Sequence, residues 1–208
     1  MPSRRNRRSN RRTLPAVVVV IIGLAIGGGM YWYQHPDFEL RVPQNPIDWL
    51  ADAWEEREAR ARLETQARVW ETEQEVHVGI NVERIRAGGA PLSWDEQLAT
   101  VARAHSDDMS SRGYFSHDTP EGLGPSDRID RAGYSCWKGT HYGVAENLAI
   151  ETTLGDPERT AAEAVRGWMN SPGHRTNLLG KQYDRTGIGA SFGKWRGYEA
   201  VYLTQVFC

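Results

Sequence analysis

Twenty consecutive uncharged residues, Leu14 to Tyr33, follow a run that carries six arginines (Arg4, Arg5, Arg7, Arg8, Arg11 and Arg12) and no acid. Such a stretch has no place on the wet surface of a small fold. As a helix rising about 1.5 Å per residue it reaches roughly 30 Å, the thickness of a bilayer core. The arginines hold the N-terminus in the cytoplasm, and Tyr31-Trp32-Tyr33 suits the membrane interface. A cleavable signal peptide is the alternative, with Gly27-Gly28-Gly29 as its small residues. The apolar run is long for a signal core and the aromatics follow it directly, which favours a retained transmembrane anchor. The expected division is a basic cytoplasmic tail (1–13), a transmembrane signal anchor (14–33), a linker and juxtamembrane helix (34–72) and a folded domain (73–208). That domain is expected outside the cytoplasm, membrane-anchored, or secreted if the N-terminal segment is cut away.

The formal net charge of −2 hides the asymmetry. With the six N-terminal arginines set aside, residues 13–208 carry −8. An acidic domain repels polyanions, so nucleic acid is excluded as its partner. The two cysteines, Cys136 and Cys208, are expected to pair in an oxidising compartment, with two free thiols as the alternative.

Gln34 to Pro46 holds three prolines and no apolar period, which reads as a linker. Ile47 to about Glu75 is charge-dense and helix-favouring, with Glu58–Arg62 and Glu64–Arg68 at i,i+4. Its broken apolar stripe (Trp49, Ala53, Leu63, Ala67, Trp70) suggests a solvated spacer more than a partner helix. Val76, Ile80 and Ile85 share a face of the next helical stretch, which Gly88-Gly89 stops. Ser93 with Glu96 three residues on reads as a capping box. Leu98, Val101, Ala102, His105 and Met109 then give the clearest amphipathic helix in the chain, ended by Gly113. Further helices are expected from Pro125 to Arg131, after Asp156-Pro157, and after Ser171-Pro172. The tail shifts to a period of two at Ile188, Ala190 and Phe192, turns at Gly193 to Gly197, and ends in a central-strand pattern from Tyr198 to Phe207. The fold class is therefore α+β, an α-β-α sandwich with a small antiparallel sheet.

Three residues stand out as chemistry. His117 follows the aromatic pair Tyr114-Phe115 on a loop between two helices, a place where sites are often built. Glu146 is flanked by Val144, Ala145, Leu148, Ala149 and Ile150, so its carboxylate requires a cation, a metal or hydrogen-bond donors. His174 falls in the first turn of a short helix, where imidazolium is disfavoured and a neutral ring is free to act as ligand or base. Two imidazoles and a carboxylate around one cleft suit a divalent metal such as zinc, or a small ligand. His105 lies on the apolar stripe and reads as a buried structural histidine, while His77 and His141 have no patterned partner. There is no HExxH, Walker loop, CxxC or Gly-x-Ser-x-Gly elbow.

From about Glu73 to Cys208 the chain resembles the CAP superfamily of cysteine-rich secretory, venom-allergen and pathogenesis-related proteins, in particular its prokaryotic branch of SCP-like extracellular proteins. The likeness is carried by Asn81-x-x-Arg84, Leu92-Ser93-Trp94-Asp95, Ala102-Arg103-Ala104-His105-Ser106, Phe115-Ser116-His117, Ala145-Glu146-Asn147-Leu148, Trp168 to Arg175 and Thr204 to Phe207. It implies an α-β-α sandwich with a central cleft, which eukaryotic members line with two histidines and two acids, some of them binding zinc. His117 and Glu146 match half of that set. The second acid would stand at Ser171, and the second histidine would precede the segment Tyr202-Leu203-Thr204-Gln205; neither is present. The prokaryotic branch supplies His174 instead.

Three functions follow as expectations. The first is a membrane-anchored binding module whose His117/Glu146/His174 cleft holds a divalent metal or a small or lipidic ligand. The second is a metal-assisted, protease-like hydrolase in which His117 and His174 hold the metal and Glu146 is the base. The third is a structural, envelope-associated domain with a vestigial cleft.

Overall fold

The computed structural model describes residues 46–136, 143–152 and 156–208, with side chains from Leu50 onward. The basic run, the uncharged stretch Leu14 to Tyr33, most of the linker and His141 lie outside the described residues. No helix among the described residues is long and apolar enough to cross a membrane. A compact unit spans Glu55–Cys208.

Its elements are α1 (Pro46–Arg86), β1 (Ser93–Trp94), α2 (Glu96–Arg112), α3 (Pro125–Arg131), β2 (Ala145–Glu151), α4 (Pro157–Asn170), α5 (Pro172–Leu179), β3 (Arg185–Trp195) and β4 (Tyr198–Phe207). The four strands lie in the order β1-β3-β4-β2. Strand β4 is central and antiparallel to both β3 and β2, while the two-residue β1 runs parallel to β3.

Alternation along β4 divides the core. Val201, Leu203 and Phe207 join Val76 and Ile80 of α1, Ala161, Ala164 and Trp168 of α4 and Leu178 of α5. Ala200, Tyr202 and Val206 turn to the other face, towards Leu98, Val101, Ala102 and Met109 of α2 and Ile129 of α3. Burial of successive residues on opposite faces requires a sheet covered on both sides. The result is the expected α-β-α layering, although β1 makes the sheet mixed.

The α2 layer is very close to β3. A Cβ on Gly187 would stand 2.0 Å from the Ala99 nitrogen, and one on Gly189 would stand 2.1 Å from the Arg103 nitrogen. Only glycine admits that approach, which brings the Ser106 hydroxyl within hydrogen-bond distance of both Gly189 O (2.9 Å) and Thr204 Oγ1 (2.8 Å). The β3–β4 turn places Arg196 and Gly197 at positive φ (52° and 89°), the pattern of a tight hairpin.

Several expectations change in detail. Asp95, not Ser93, caps α2, accepting from the Gln97 and Leu98 N–H groups. The Ser93 N–H is committed to Asp184 O and the Asp95 N–H to Thr186 O, so pairing with the sheet keeps this segment extended until residue 95. Helix α1 runs unbroken through both of the expected helical stretches. Ile85 is 60% exposed, whereas Val76 and Ile80 are fully buried. Strand β3 continues through Gly193 to Trp195, where a turn was expected, because the pairing Gly193–Ala200 to Trp195–Tyr198 outweighs the glycine. Glu58–Arg62 forms (3.2 Å), while Arg68 stacks on Phe192 instead (4.5 Å). His77 does find partners, Leu92 O (2.9 Å) and Asn81 Nδ2 (3.1 Å).

Two residues of α1 secure the 87–93 connection. Asn81 bonds both the N–H and the C=O of Leu92 (2.7 and 3.1 Å), standing in for a missing strand. Arg84, buried, donates to Ala90 O, Leu178 O, Gly180 O and Tyr183 O. Burial pushes its guanidinium pKa down. At the chain's end the Cys136 and Cys208 sulfurs are bonded, with their Cα atoms 5.3 Å apart.

Gly189→Ala is expected to force α2 off β3 and to destabilise the domain by about 3 kcal/mol or more, read as a lower urea midpoint. An unchanged midpoint would mean that the two layers are not held at backbone contact.

Candidate functional site

Glu146 sits on β2, opposite Val206 of the central strand, in a register that points its side chain inward. The carboxylate is 1% exposed, and each oxygen has its own donor. His117 Nδ1 lies 2.8 Å from Oε1, and Arg128 Nη2 lies 2.5 Å from Oε2. A buried carboxylate is tolerable only when paired and hydrogen-bonded, and this one is both. The guanidinium serves the loop too, donating from Nη1 to His117 O (2.7 Å) and Leu123 O (2.9 Å). One cation therefore fixes the carboxylate and the backbone that carries His117.

The rest of the loop is held from beneath. His105 of α2 meets Ser116 O through Nε2 (3.0 Å) and packs edge-on against Tyr114. The Tyr114 hydroxyl donates to Asp108 (2.5 Å), and Arg112 reaches Glu121 (2.6 Å). His105 is buried and structural, as its place on the stripe implies.

His174 enters from the third side, in the first turn of α5 as expected. Asn147 and Asn177 lock that helix to β2. Asn147 Nδ2 donates to His174 O (3.1 Å), while Asn177 Nδ2 donates to Asn147 Oδ1 (3.1 Å) and Glu146 O (3.3 Å). Trp168 Nε1 adds a bond to Leu148 O (2.9 Å). Side chains of α4 and α5 thereby satisfy carbonyls on the outer edge of β2. Ser171 makes no side-chain cap bond, so Pro172 and the Arg175 N–H to Ser171 O bond (2.8 Å) start α5 without it.

The electrostatics separate the two imidazoles. The bond to Glu146, followed by its charge, raises the His117 pKa against the opposing effect of burial. Burial lowers that of His174, and the nearby His117 charge lowers it further. The structure joins His117 directly to Glu146, and His174 lies within electrostatic reach of His117. No hydrogen bond joins His174's ring to the other two among the described residues.

Arg128 was not foreseen. Its signal was indirect: a carboxylate among apolar neighbours requires a cation, and Arg128 follows the His117 loop closely enough to supply one. Nothing in the local pattern separated it from Arg131.

For a metal, the residues fit in a restricted way. A ligating histidine commonly gives its other ring N–H to a carboxylate, as His117 does through Nδ1, leaving Nε2 to face a metal. His174, with its lowered pKa, keeps a lone pair. Yet no group of three or more His, Cys, Asp and Glu positioned for a metal occurs among the described residues. Both Glu146 oxygens are taken, and the adjacent guanidinium opposes a cation at the carboxylate. The described residues therefore make no closed structural zinc site.

A helix-covered four-stranded sheet with a His-Glu pair at a loop and strand defines a mixed α/β domain of the CAP type. The chain belongs to the cysteine-rich secretory protein (CAP) family, matching it over residues 79–207. Relatives in Bacillus subtilis are YkwD, 37% identical over 109 residues (52% of this chain and 38% of that protein), and the membrane protein YlbC, 34% identical over 127 residues (61% and 31%). The chain thus spans under half the length of each of these relatives. Among solved structures, an extracellular SCP-domain protein of Bacillus anthracis is 32% identical with a TM-score of 0.52, covering 67% of this chain and 40% of its own. An outer surface protein of Borrelia burgdorferi shares the fold at 20% identity and a TM-score of 0.50, covering 66% of this chain and 92% of its own.

The raised His117 pKa gives a signed prediction. Its proton is held more tightly in the folded state, so the contribution to stability is full below the ordinary value near 6.5 and is lost as pH rises through the folded value. Titration of the imidazole Cε1–H signals by NMR should place His117 above 6.5 and His174 below it. Glu146→Gln should bring His117 down towards the ordinary value, and an unmoved His117 would show that the carboxylate does not hold it.

Proposed function

We propose that this chain is a membrane-anchored, extracytoplasmic CAP-domain binding module whose ligand site is the His117–Glu146–His174 cleft. The observation that carries the reading is the clamp on His117. Arg128 holds Glu146, Glu146 holds Nδ1, and the ring stays 52% exposed with no partner on Nε2 among the described residues. Orienting one ring nitrogen with a buried carboxylate leaves the other as a directed acceptor when neutral and a directed donor when protonated. His174 across the cleft is the second contact, and a small or lipidic molecule is the expected occupant. Support for the location comes from Leu14 to Tyr33 and from relatives described as a membrane protein and an extracellular protein.

A divalent ion such as zinc would be held by His117 and His174. It would add a positive centre able to bind anionic or carbonyl oxygens of a ligand. Glu146 is poorly suited to act as a hydrolytic base, because it is buried and both its oxygens are engaged. The hydrolase reading therefore has no specific geometric support beyond the two histidines.

Cobalt(II) titration of the full chain in detergent, followed by visible absorption, is expected to show saturable binding near neutral pH that weakens as His117 is protonated. His117→Ala and His174→Ala should each weaken it about tenfold or more, the usual effect of disturbing a metal site. Equal uptake by the parent and the double variant would remove the cleft as a metal site. Turnover of a peptide substrate that is lost in the same variants would restore the hydrolase.

A further inference from the structure

A second groove of about 610 Å³ lies between α1, α2 and the free edge of β3. On that edge β1 pairs with Arg185 and Thr186 alone, so from Gly187 to Trp195 β3 meets no strand there among the described residues. The Ala190 N–H points out of the sheet and donates to Glu73 Oε1 (3.1 Å). Peptide groups alternate in direction along a strand, so the N–H and C=O of Phe192, two residues on, face the same way.

Glu73 works as a plug at Ala190. Fully buried, it is held by Arg103 through Nε (2.9 Å) and Nη2 (2.7 Å), and Arg103 also grips Glu96 (2.5 Å). Desolvation nevertheless pushes its pKa up. Beyond the plug the groove opens onto Phe192, with Val69 and Trp70 on its α1 wall. Trp70 is 58% exposed there, an expensive position for an indole. On the α2 wall Asp107 is exposed, and its carboxylate has no partner among the described residues. Arg68 is stacked on the Phe192 ring and is not among the residues that line the groove. The remaining free charge at the rim is acidic.

Free strand edges template pairing with another chain, and proteins blunt them where pairing is unwanted. Here the edge is closed at Ala190 and left open at Phe192 beside an apolar wall and a lone carboxylate. We propose that this groove docks an extended segment of a partner protein, which adds as a short strand along β3 at Phe192. An apolar side chain of that segment packs on Val69 and Trp70, and a lysine or arginine reaches Asp107. Backbone bonds supply affinity and alternate side chains supply selectivity, as in other strand-addition sites. The inference is independent of the His117 cleft.

The test uses the full chain in detergent with two labelled octapeptides, alternating Lys-Val and alternating Glu-Val, followed by fluorescence anisotropy. The Lys-Val peptide is expected to bind saturably, and the Glu-Val peptide about tenfold more weakly or not at all. Phe192→Pro removes the outward N–H, together with the ring on which Arg68 stacks, and should abolish binding. Asp107→Lys, at an exposed position that leaves the fold alone, should weaken Lys-Val and strengthen Glu-Val. Unchanged circular dichroism and an unchanged His117 titration exclude misfolding as the cause. No Lys-Val binding, equal affinity for both peptides, or wild-type binding by both variants overturns the proposal. So does a peptide-independent dimer that Phe192→Pro dissolves, which would assign the edge to a second copy of this chain.

Discussion

Helix α2 lies on β3 with backbone against backbone, and the two glycines that permit it govern how the other layers and the cleft are placed. At ordinary helix-on-sheet separation, near 10 Å, Ser106 could not bond both Gly189 and Thr204. His105, one residue earlier on the same helix, is carried with it to the point where it meets Ser116 O. The loop bearing His117 is thus referenced to the sheet through α2. Because β4 fixes β2 in register, the distance from His117 to Glu146 is set by packing rather than by a flexible connection.

The two buried carboxylates Glu146 and Glu73 share a common plan, in which one multidentate cation joins several chain segments. Arg128 joins a carboxylate to two loop carbonyls, and Arg103 joins Glu73 of α1 to Glu96 of α2. Replacing one partner would leave the other buried and unpaired, so such sites resist change even where their net contribution is small. Arginine suits the task because its planar donors reach acceptors in several directions at once.

Amphipathic or clearly started helices, and the strand buried on both faces, were legible in the sequence. Helix α2 showed its stripe, α4 its Asp156-Pro157 start, and β4 its run rich in β-branched and aromatic residues. Strand β2 was missed as a strand because Ala145, Glu146 and Asn147 have weak strand preference. They are held there by pairing with β4 and by side chains from α5, and neither interaction is written in the local pattern. The capping residue was misplaced by two positions for a similar reason, since a two-residue strand with no periodicity of its own keeps Ser93 extended. Of the site, the histidines and the acid could be read from their neighbours. The cation that neutralises Glu146 could not, because an arginine on a short helix looks the same whether it faces solvent or a buried carboxylate.

Arg84 lends the domain a mechanical character. Its four acceptors come from two stretches distant in sequence, the connection after α1 and the segment from the end of α5 to the approach to β3. Tension drawn along α1 would be shared among these bonds at one rivet, and no single stretch could yield without stranding the charge in an apolar interior. A pull on the helix is then shared with α5, the seat of His174, as well as with β3 through Glu73 and Ala190.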